Sequence, residues 1–222
     1  MNNASDFISA LRALSFKNVF NPYSDICPVW DLDDAPLIRR TNLFNGLVAA
    51  RGRAKSLWVG RDLGYRGGRR TGLALTDEFN LASFAEILDL PEMPRSTKGP
   101  PIFERTAATI WEMIALLKEP IFTWNVFPLH PYVEHDPFSN RSHSSSEAKA
   151  CRQFLSWLIT YLEPDSVIAV GNDAHRALNK MQISSTLVRH PSYGGIADFR
   201  MQISQLYNLN LCLADRQTSL FD

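Results

Sequence analysis

Three separated stretches of this sequence carry side chains suited to acting on a bound molecule. The first is Gly60-Arg61-Asp62-Leu63-Gly64-Tyr65-Arg66-Gly67-Gly68, which with Gly72 holds five glycines and a single acid. Its glycines let backbone amides approach an anion closely, and Asp62 either is presented to a crevice by the end of a strand or simply caps a turn and neutralises its arginine neighbours. Neither GxxxxGK[ST] nor GxGxxG can be read here, so nucleoside-triphosphate and dinucleotide loops are excluded on pattern. The second stretch opens with Asn125. A pocket amide donates and accepts at once, as reading the edge of a pyrimidine requires, although such a residue also closes turns. The third is Arg189-His190-Pro191-Ser192-Tyr193. His190 reads either as a satisfied core imidazole or as a neutral donor to an oxygen that gains charge in a transition state. Ser192 and the amides after it could hold a phosphate if a helix begins near Gly195 or Ile196.

Each stretch follows a short β-rich run, at 55–59, 121–124 and 185–188, with a fourth run at 166–170. Helical spacing marks 104–117, through Thr109, Trp111, Ile114 and Leu117, and 146–162, through Cys151, Phe154, Leu155, Leu158 and Leu162. Strand alternating with helix predicts an α/β fold: a single-domain three-layer sandwich with a central, mainly parallel four-stranded sheet and helices on both faces. Ligands of such sheets bind beyond the carboxyl ends of the strands, which is where the three stretches fall. The fourth run ends in Gly171-Asn172-Asp173, read as a helix cap and left outside the site. Segments 91–101 and 131–146 read as long loops, the stretch 141–146 being solvated surface that leads to a helix cap. Residues 1–54, with Phe7, Ile8, Leu11 and Leu14 in helical spacing and a second helix near 41–50, are expected to cover the sheet; 55–210 would form the α/β core.

The chain has 222 residues, enough for one sizeable core, and 45% hydrophobic, 11% aromatic and 21% charged residues, which excludes disordered and collagen-like classes. The apolar runs are too short to span a membrane and the first residues lack signal-peptide character, so a cytoplasmic protein is expected. Cys27, Cys151 and Cys212 lie far apart, which disfavours a disulfide scaffold or a four-thiolate metal site. The formal charge is zero, yet 17 Arg stand against 6 Lys, and 51–70 hold seven cations against Asp62 alone. That strip reads as a basic patch suited to phosphate, a feature also common in proteins with no nucleic-acid partner.

Taken together, the order of these stretches resembles the uracil-DNA glycosylase superfamily. Gly60-Arg-Asp-Leu-Gly64 is similar to its GxxPG or GQDPY motif, and Arg70-Thr71-Gly72-Leu-Ala-Leu75-Thr76-Asp77-Glu78 to the RTGxPFT(S/G)(D/E) of bacterial branches. Trp124-Asn125 and the residues to Pro131 resemble the base-recognition segment, and Val188-Arg-His-Pro-Ser192 the second motif. The similarity extends to Asn140-Arg141, Glu147, Cys151 and 164–171, and so covers most of 55–200.

The resemblance implies a monofunctional enzyme of base-excision repair that hydrolyses the N-glycosidic bond of deoxyuridine in DNA, without a metal or organic cofactor. Its partners would be uracil-containing DNA and free uracil as product, and the protein is expected to be a monomer. Asp62 would orient water and stabilise the sugar cation, His190 would bond the uracil O2, and Asn125 would read the N3 and O4 edge. Gly60, Arg61, Tyr65 and Leu75 would contact the base, and Arg70, Thr71, Arg189, Ser192 and Tyr193 the DNA. Departures have consequences. The motif's Pro is Leu63 and its Tyr is Gly64, with Tyr65 next along; the stacking Phe is Leu75, which forgoes about 1–3 kcal/mol of aromatic stacking per base. Glu78 and Asp77 stand as alternative water-positioning acids. The four-cysteine iron-sulfur branch is excluded, since Phe127 lies where it places a ligand. Tyr193-Gly194-Gly195 replaces the aliphatic wedge that enters a duplex, so single-stranded or mispaired uracil is the expected preference. Two further readings remain: a non-catalytic or differently specific relative that binds damaged or abasic DNA, and an α/β enzyme acting on a free phosphorylated metabolite.

Overall fold

Three of the four apolar runs, 56–62, 121–127 and 166–170, are largely buried, as the continuous hydrophobic strands of a parallel sheet require, whereas the short fourth, 186–188, is an edge with Thr186 and Leu187 exposed. The computed structural model describes residues 1–209, so Cys212 and the core boundary at 210 lie outside the described residues. The chain runs α1 (Ala4–Arg12), β1 (Val19–Phe20), α2 (Ala35–Ala50), β2 (Ser56–Asp62), α3 (Gly68–Thr71), α4 (Leu81–Ile87), α5 (Arg105–Leu117), β3 (Ile121–Phe127), β4 (His130–Pro131), α6 (Ser145–Leu162), β5 (Ser166–Val170), α7 (Asn172–Lys180), β6 (Thr186–Val188) and α8 (Ile196–Leu206). The sheet order is β3-β2-β5-β6, parallel throughout, with helices packed around it. β1 and β4 form a separate antiparallel pair. The expected fold class is therefore present. No helix among the described residues is long and apolar enough to cross a membrane.

Helix boundaries follow local chemistry. α6 starts on a capping box, Ser144 accepting from the Glu147 amide while the Glu147 carboxylate accepts from the Ser144 amide. α2 begins at Ala35, earlier than the expected 41, because Pro36 fits the first turn, where its missing N–H costs nothing. α1 lays Phe7 against Trp124 of β3 and Phe154 of α6, ring centroids 5.4 Å apart in both cases. Trp58 of β2 meets Phe199 of α8 at 6.1 Å. The N-terminal segment thus contributes to the cover over β3.

Two differences from expectation set up the site. β2 and β3 run past 59 and 124 to Asp62 and Phe127, with Gly60 opposite Asn125 and Asp62 opposite Phe127. Asp62 and Asn125 therefore stand on strands rather than in loops. The pairing persists because Gly60 has no side chain to meet the amide across the ladder: a Cβ there would come 2.5 Å from Asn125 Oδ1 and 2.8 Å from Leu75 Cδ2.

The second difference concerns the arginine strip, which is not one patch. Lys55 precedes β2 and Arg61 lies near its far end, some 20 Å apart at about 3.3 Å per residue. Arg69 and Arg70 are buried, Arg69 over the rings of Phe20 (4.1 Å), Phe138 (5.2 Å) and Trp30 (5.6 Å), and Arg70 over Trp30 (4.7 Å). Arg70 Nε donates to Glu78 Oε2 at 2.8 Å, a pair whose side chains are 4% and 1% exposed. Glu78 also accepts from the Ile102 amide (2.9 Å) and the Thr97 hydroxyl. Inside that clasp, Thr71 Oγ1 donates to Thr76 O at 2.8 Å, and Thr123 Oγ1 and Thr76 Oγ1 both donate to Ala74 O. The segment 70–78 is a loop locked by its own ends.

Breaking one side of a buried pair strands the other charge, at about 3–5 kcal/mol. Glu78→Gln should lower unfolding stability by that order in urea titrations. A loss below about 1 kcal/mol would show that the clasp does not hold the loop.

Candidate active site

Because the four strands are parallel, their carboxyl ends share one edge, and a cavity of about 520 Å³ opens there. β2 contributes Arg61 and Asp62, followed by Leu63 and Gly64; β5 ends in Val170, Gly171, Asn172 and Asp173; the segment after β6 contributes Arg189, His190, Ser192 and Tyr193. Gly68 and Leu75, Glu104 and Thr106 at the start of α5, Asn140 and Arg141, and Arg176 of α7 complete the wall. Asp62 and His190, 128 positions apart in the sequence, face one space.

The imidazole of His190 is fixed in tautomer. The Ser192 amide and hydroxyl lie 3.1 and 2.7 Å from Nδ1. An amide can only donate, so Nδ1 is an acceptor and the ring proton of the neutral form sits on Nε2. Burial, aided by the cations Arg61 and Arg189, lowers the pKa to about 4, which keeps the ring neutral above that pH. A neutral N–H donor is what this geometry presents.

Asp62 is held from two sides: Arg61 Nε donates to Oδ2 at 2.7 Å, and His143 Nδ1 donates to Oδ1. Arg61 also reaches Asp173 Oδ2 at 2.9 Å, which ties the end of β2 to the start of α7. The Asp62 side chain is 7% exposed, so the carboxylate has little freedom to rotate.

Asn125 is 1% exposed, and neither its Oδ1 nor its Nδ2 has a partner among the described residues. Leaving such an amide unpaired costs about 1–3 kcal/mol. It stands one layer behind the cavity wall, because Leu75 and the amide crowd the same point over Gly60. Leu75 itself has φ +55, a left-handed conformation unusual for a non-glycine residue. The locked loop imposes it, with Trp111 Nε1 donating to Leu75 O at 3.1 Å.

Of the residues singled out in the sequence, Arg61, Asp62, Leu75, Arg189, His190, Ser192 and Tyr193 line this one cavity, and Gly60 and Asn125 stand directly behind it. Five do not. Arg70 and Thr71, read as DNA contacts, are 4% and 3% exposed and belong to the clasp, where no phosphate reaches them. Tyr65 is off the wall, its hydroxyl accepting from Arg66 Nε at 2.7 Å, so it does not screen a base. Asp77 caps the turn at Asn80 and accepts from the Glu104 amide at 2.7 Å, while Glu78 is consumed by the clasp. The alternative water-positioning pair therefore falls away.

Four residues were missed. His143, placed in solvated surface, bonds Asp62. Asp173, set aside with its cap, is in the wall and anchors Arg61. Asn140 accepts from the Tyr65 amide at 3.1 Å and takes a bond from His130, so it ties the glycine loop down. Glu104 faces Gly64 and Gly67, whose missing side chains leave the space it fills. A lone histidine one residue before the α6 cap Ser144 gives no sequence signal; the glycine spacing at 64 and 67 is a usable hint that something packs against the loop. Among the described residues, no three His, Cys, Asp or Glu side chains gather as a metal-binding group.

A family model described as the uracil DNA glycosylase superfamily matches residues 50–209. No curated protein matches the chain by sequence. Among solved structures, the crystal structure of wild-type Pedobacter heparinus SMUG2 is similar, with a TM-score of 0.56 at 14% identity, covering 94% of this chain and 97% of that one. At that identity the likeness is one of fold.

Glu104 generates a pH signature. Burial first, and the nearby Asp77 second, raise its pKa from 4.5 to about 7. The folded protein thus keeps this proton to higher pH than the unfolded chain, and stability tied to the group is lost as pH rises from about 4.5 through 7. The full difference is roughly 3 kcal/mol. Glu104→Gln should gain on the parent protein between pH 5 and pH 8.5 in urea titrations; parallel pH profiles would refute the assignment.

Proposed function

We propose that this chain, which belongs to the uracil DNA glycosylase superfamily, hydrolyses the N-glycosidic bond of deoxyuridine in DNA to release uracil and leave an abasic site. The observation that carries this reading is the pairing of a clamped carboxylate with a neutral imidazole donor on one cavity, backed by an amide with both hydrogen-bonding faces unused.

The chemistry follows from the atoms. As the C1′–N1 bond of an extruded nucleotide breaks, its electron pair moves onto the base and charge collects on O2, where His190 Nε2–H donates. The sugar turns cationic, and Asp62 stabilises it and aligns a water on C1′. The water oxygen bonds to C1′ and its proton passes to the Asp62 carboxylate. Arg61 and His143 set the direction in which that carboxylate points. Once Leu75 shifts, Asn125 Oδ1 accepts from N3–H and Nδ2 donates to O4. Cytosine fails both contacts, since its N3 carries no proton and its amino group opposes a donor.

Two finer features are part of the reading. No lysine lines the cavity among the described residues, which leaves no amine there to attack the abasic sugar and supports monofunctional cleavage. Tyr193, 97% exposed at the mouth with φ +51, occupies the place of an aliphatic wedge, in keeping with a preference for single-stranded or mispaired uracil. A second reading, a relative that binds damaged DNA without cutting it, draws on Leu75 standing between cavity and amide.

Release of uracil from a single-stranded oligonucleotide, read as alkali-sensitive cleavage, separates the two. His190→Ala should slow release about 100- to 1000-fold, and Asp62→Asn about 100- to 10,000-fold. If the parent protein binds the strand and releases nothing, the non-catalytic reading stands. Equal rates on U:A duplex and single strand would remove the strand preference.

A further inference from the structure

A second cleft, of about 250 Å³, opens beside the first and shares Arg61, Asp173 and Arg176 with it. Its remaining cations are Arg152 of α6 and Lys180 at the end of α7, set around Ser142, His143 and Ser145. Four cations therefore face one carboxylate, Asp173, to which Arg61 and Arg176 are already bonded at 2.9 and 2.5 Å. Arg152 and Lys180 have no carboxylate within 4 Å among the described residues. In a chain of zero formal charge, and with Asp62 also bonded to Arg61, this is four cations against two carboxylates, a local excess of two positive charges beside the catalytic cavity.

We propose that this cleft binds a phosphodiester of the DNA strand whose extruded nucleotide occupies the first cavity. The volume argues for a small anion over a second nucleoside, because pockets for larger ligands run from about 300 to 1,000 Å³. The charge argues for phosphate, for which planar guanidinium groups are suited. The α6 N-terminus is not the anchor, since Ser144 and Glu147 already cap it. Continuity through Arg61 and Arg176 makes the two clefts one trough, so a strand held at the base is followed by its own backbone into the second cleft. The inference rests on the reading of the first cavity as a nucleotide site.

Salt dependence reads the site directly. For single strands, the slope of log K against log salt is about 0.7 per phosphate neutralised. The double variant Arg152→Ala/Lys180→Ala should lower that slope by about 0.7 to 1.4 in binding to single-stranded oligonucleotides, with or without uracil. Arg152→Lys/Lys180→Arg should restore it. Lys55→Ala/Lys118→Ala, with the same loss of charge outside both clefts, should leave it unchanged. An unchanged slope in the cleft variant, or an equal drop in the Lys55/Lys118 variant, overturns the proposal. The two readings separate cleanly: uracil release with an unaltered slope removes the phosphate site alone, whereas a reduced slope without release removes the glycosylase activity alone. Competition by inorganic phosphate as strong as that by the oligonucleotide would mark a free-anion site and overturn the strand assignment.

Discussion

The buried bond between Arg70 and Glu78 is the constraint on which the site depends. It joins the two ends of a nine-residue loop away from water, and the threonines between them spend their hydroxyls on the loop's own carbonyls. A loop so tied cannot relax its middle, and Leu75 is accordingly kept in a left-handed conformation against the strand pair. The cavity wall is therefore as rigid as the ion pair beneath it. Removing the charge from one end would loosen the wall without touching any group that faces a substrate.

Electrostatics in the cavity are arranged by three cations with different tasks. Arg61 bridges Asp62 and Asp173 and so fixes a carboxylate that would otherwise repel a second acid nearby. Arg61 and Arg189 add to burial in keeping His190 uncharged. Arg176 holds the far side of Asp173 and extends the positive field into the neighbouring cleft. The Asp62 carboxylate and the neutral His190 donor face the same space, the combination on which the proposed stabilisation of a cationic sugar and an anionic base rests.

Much of this was legible in the sequence, and the reasons are specific. Strand runs were bounded within a few residues because continuous apolar stretches have few alternatives, and the rule that ligands sit beyond carboxyl ends located Asp62 and His190 in one place. The Arg-Thr-Gly motif misled because a cation near glycines looks the same whether it meets a phosphate or a buried glutamate. Asn125 read as a loop residue since nothing in one chain reveals that its ladder partner is a glycine. His143 and Glu104 were invisible because their roles are made by contacts 81 and about 40 positions away. Asp173 was set aside as part of a helix cap, whereas the structure puts Gly171 at the cap with no side-chain hydrogen bond and commits Asp173 to Arg61 and Arg176.

The unpaired amide of Asn125 carries a thermodynamic consequence. Buried behind an aliphatic side chain and without a partner among the described residues, its two faces gain hydrogen bonds only from a visitor that displaces that side chain. Under the proposed reading, recognition there is set by a threshold. A guest must be worth more than the displacement of one leucine, and a base whose edge satisfies only half of the amide recovers too little to keep the door open. Selectivity in such an arrangement begins with which molecules can afford to enter, before any bond is broken.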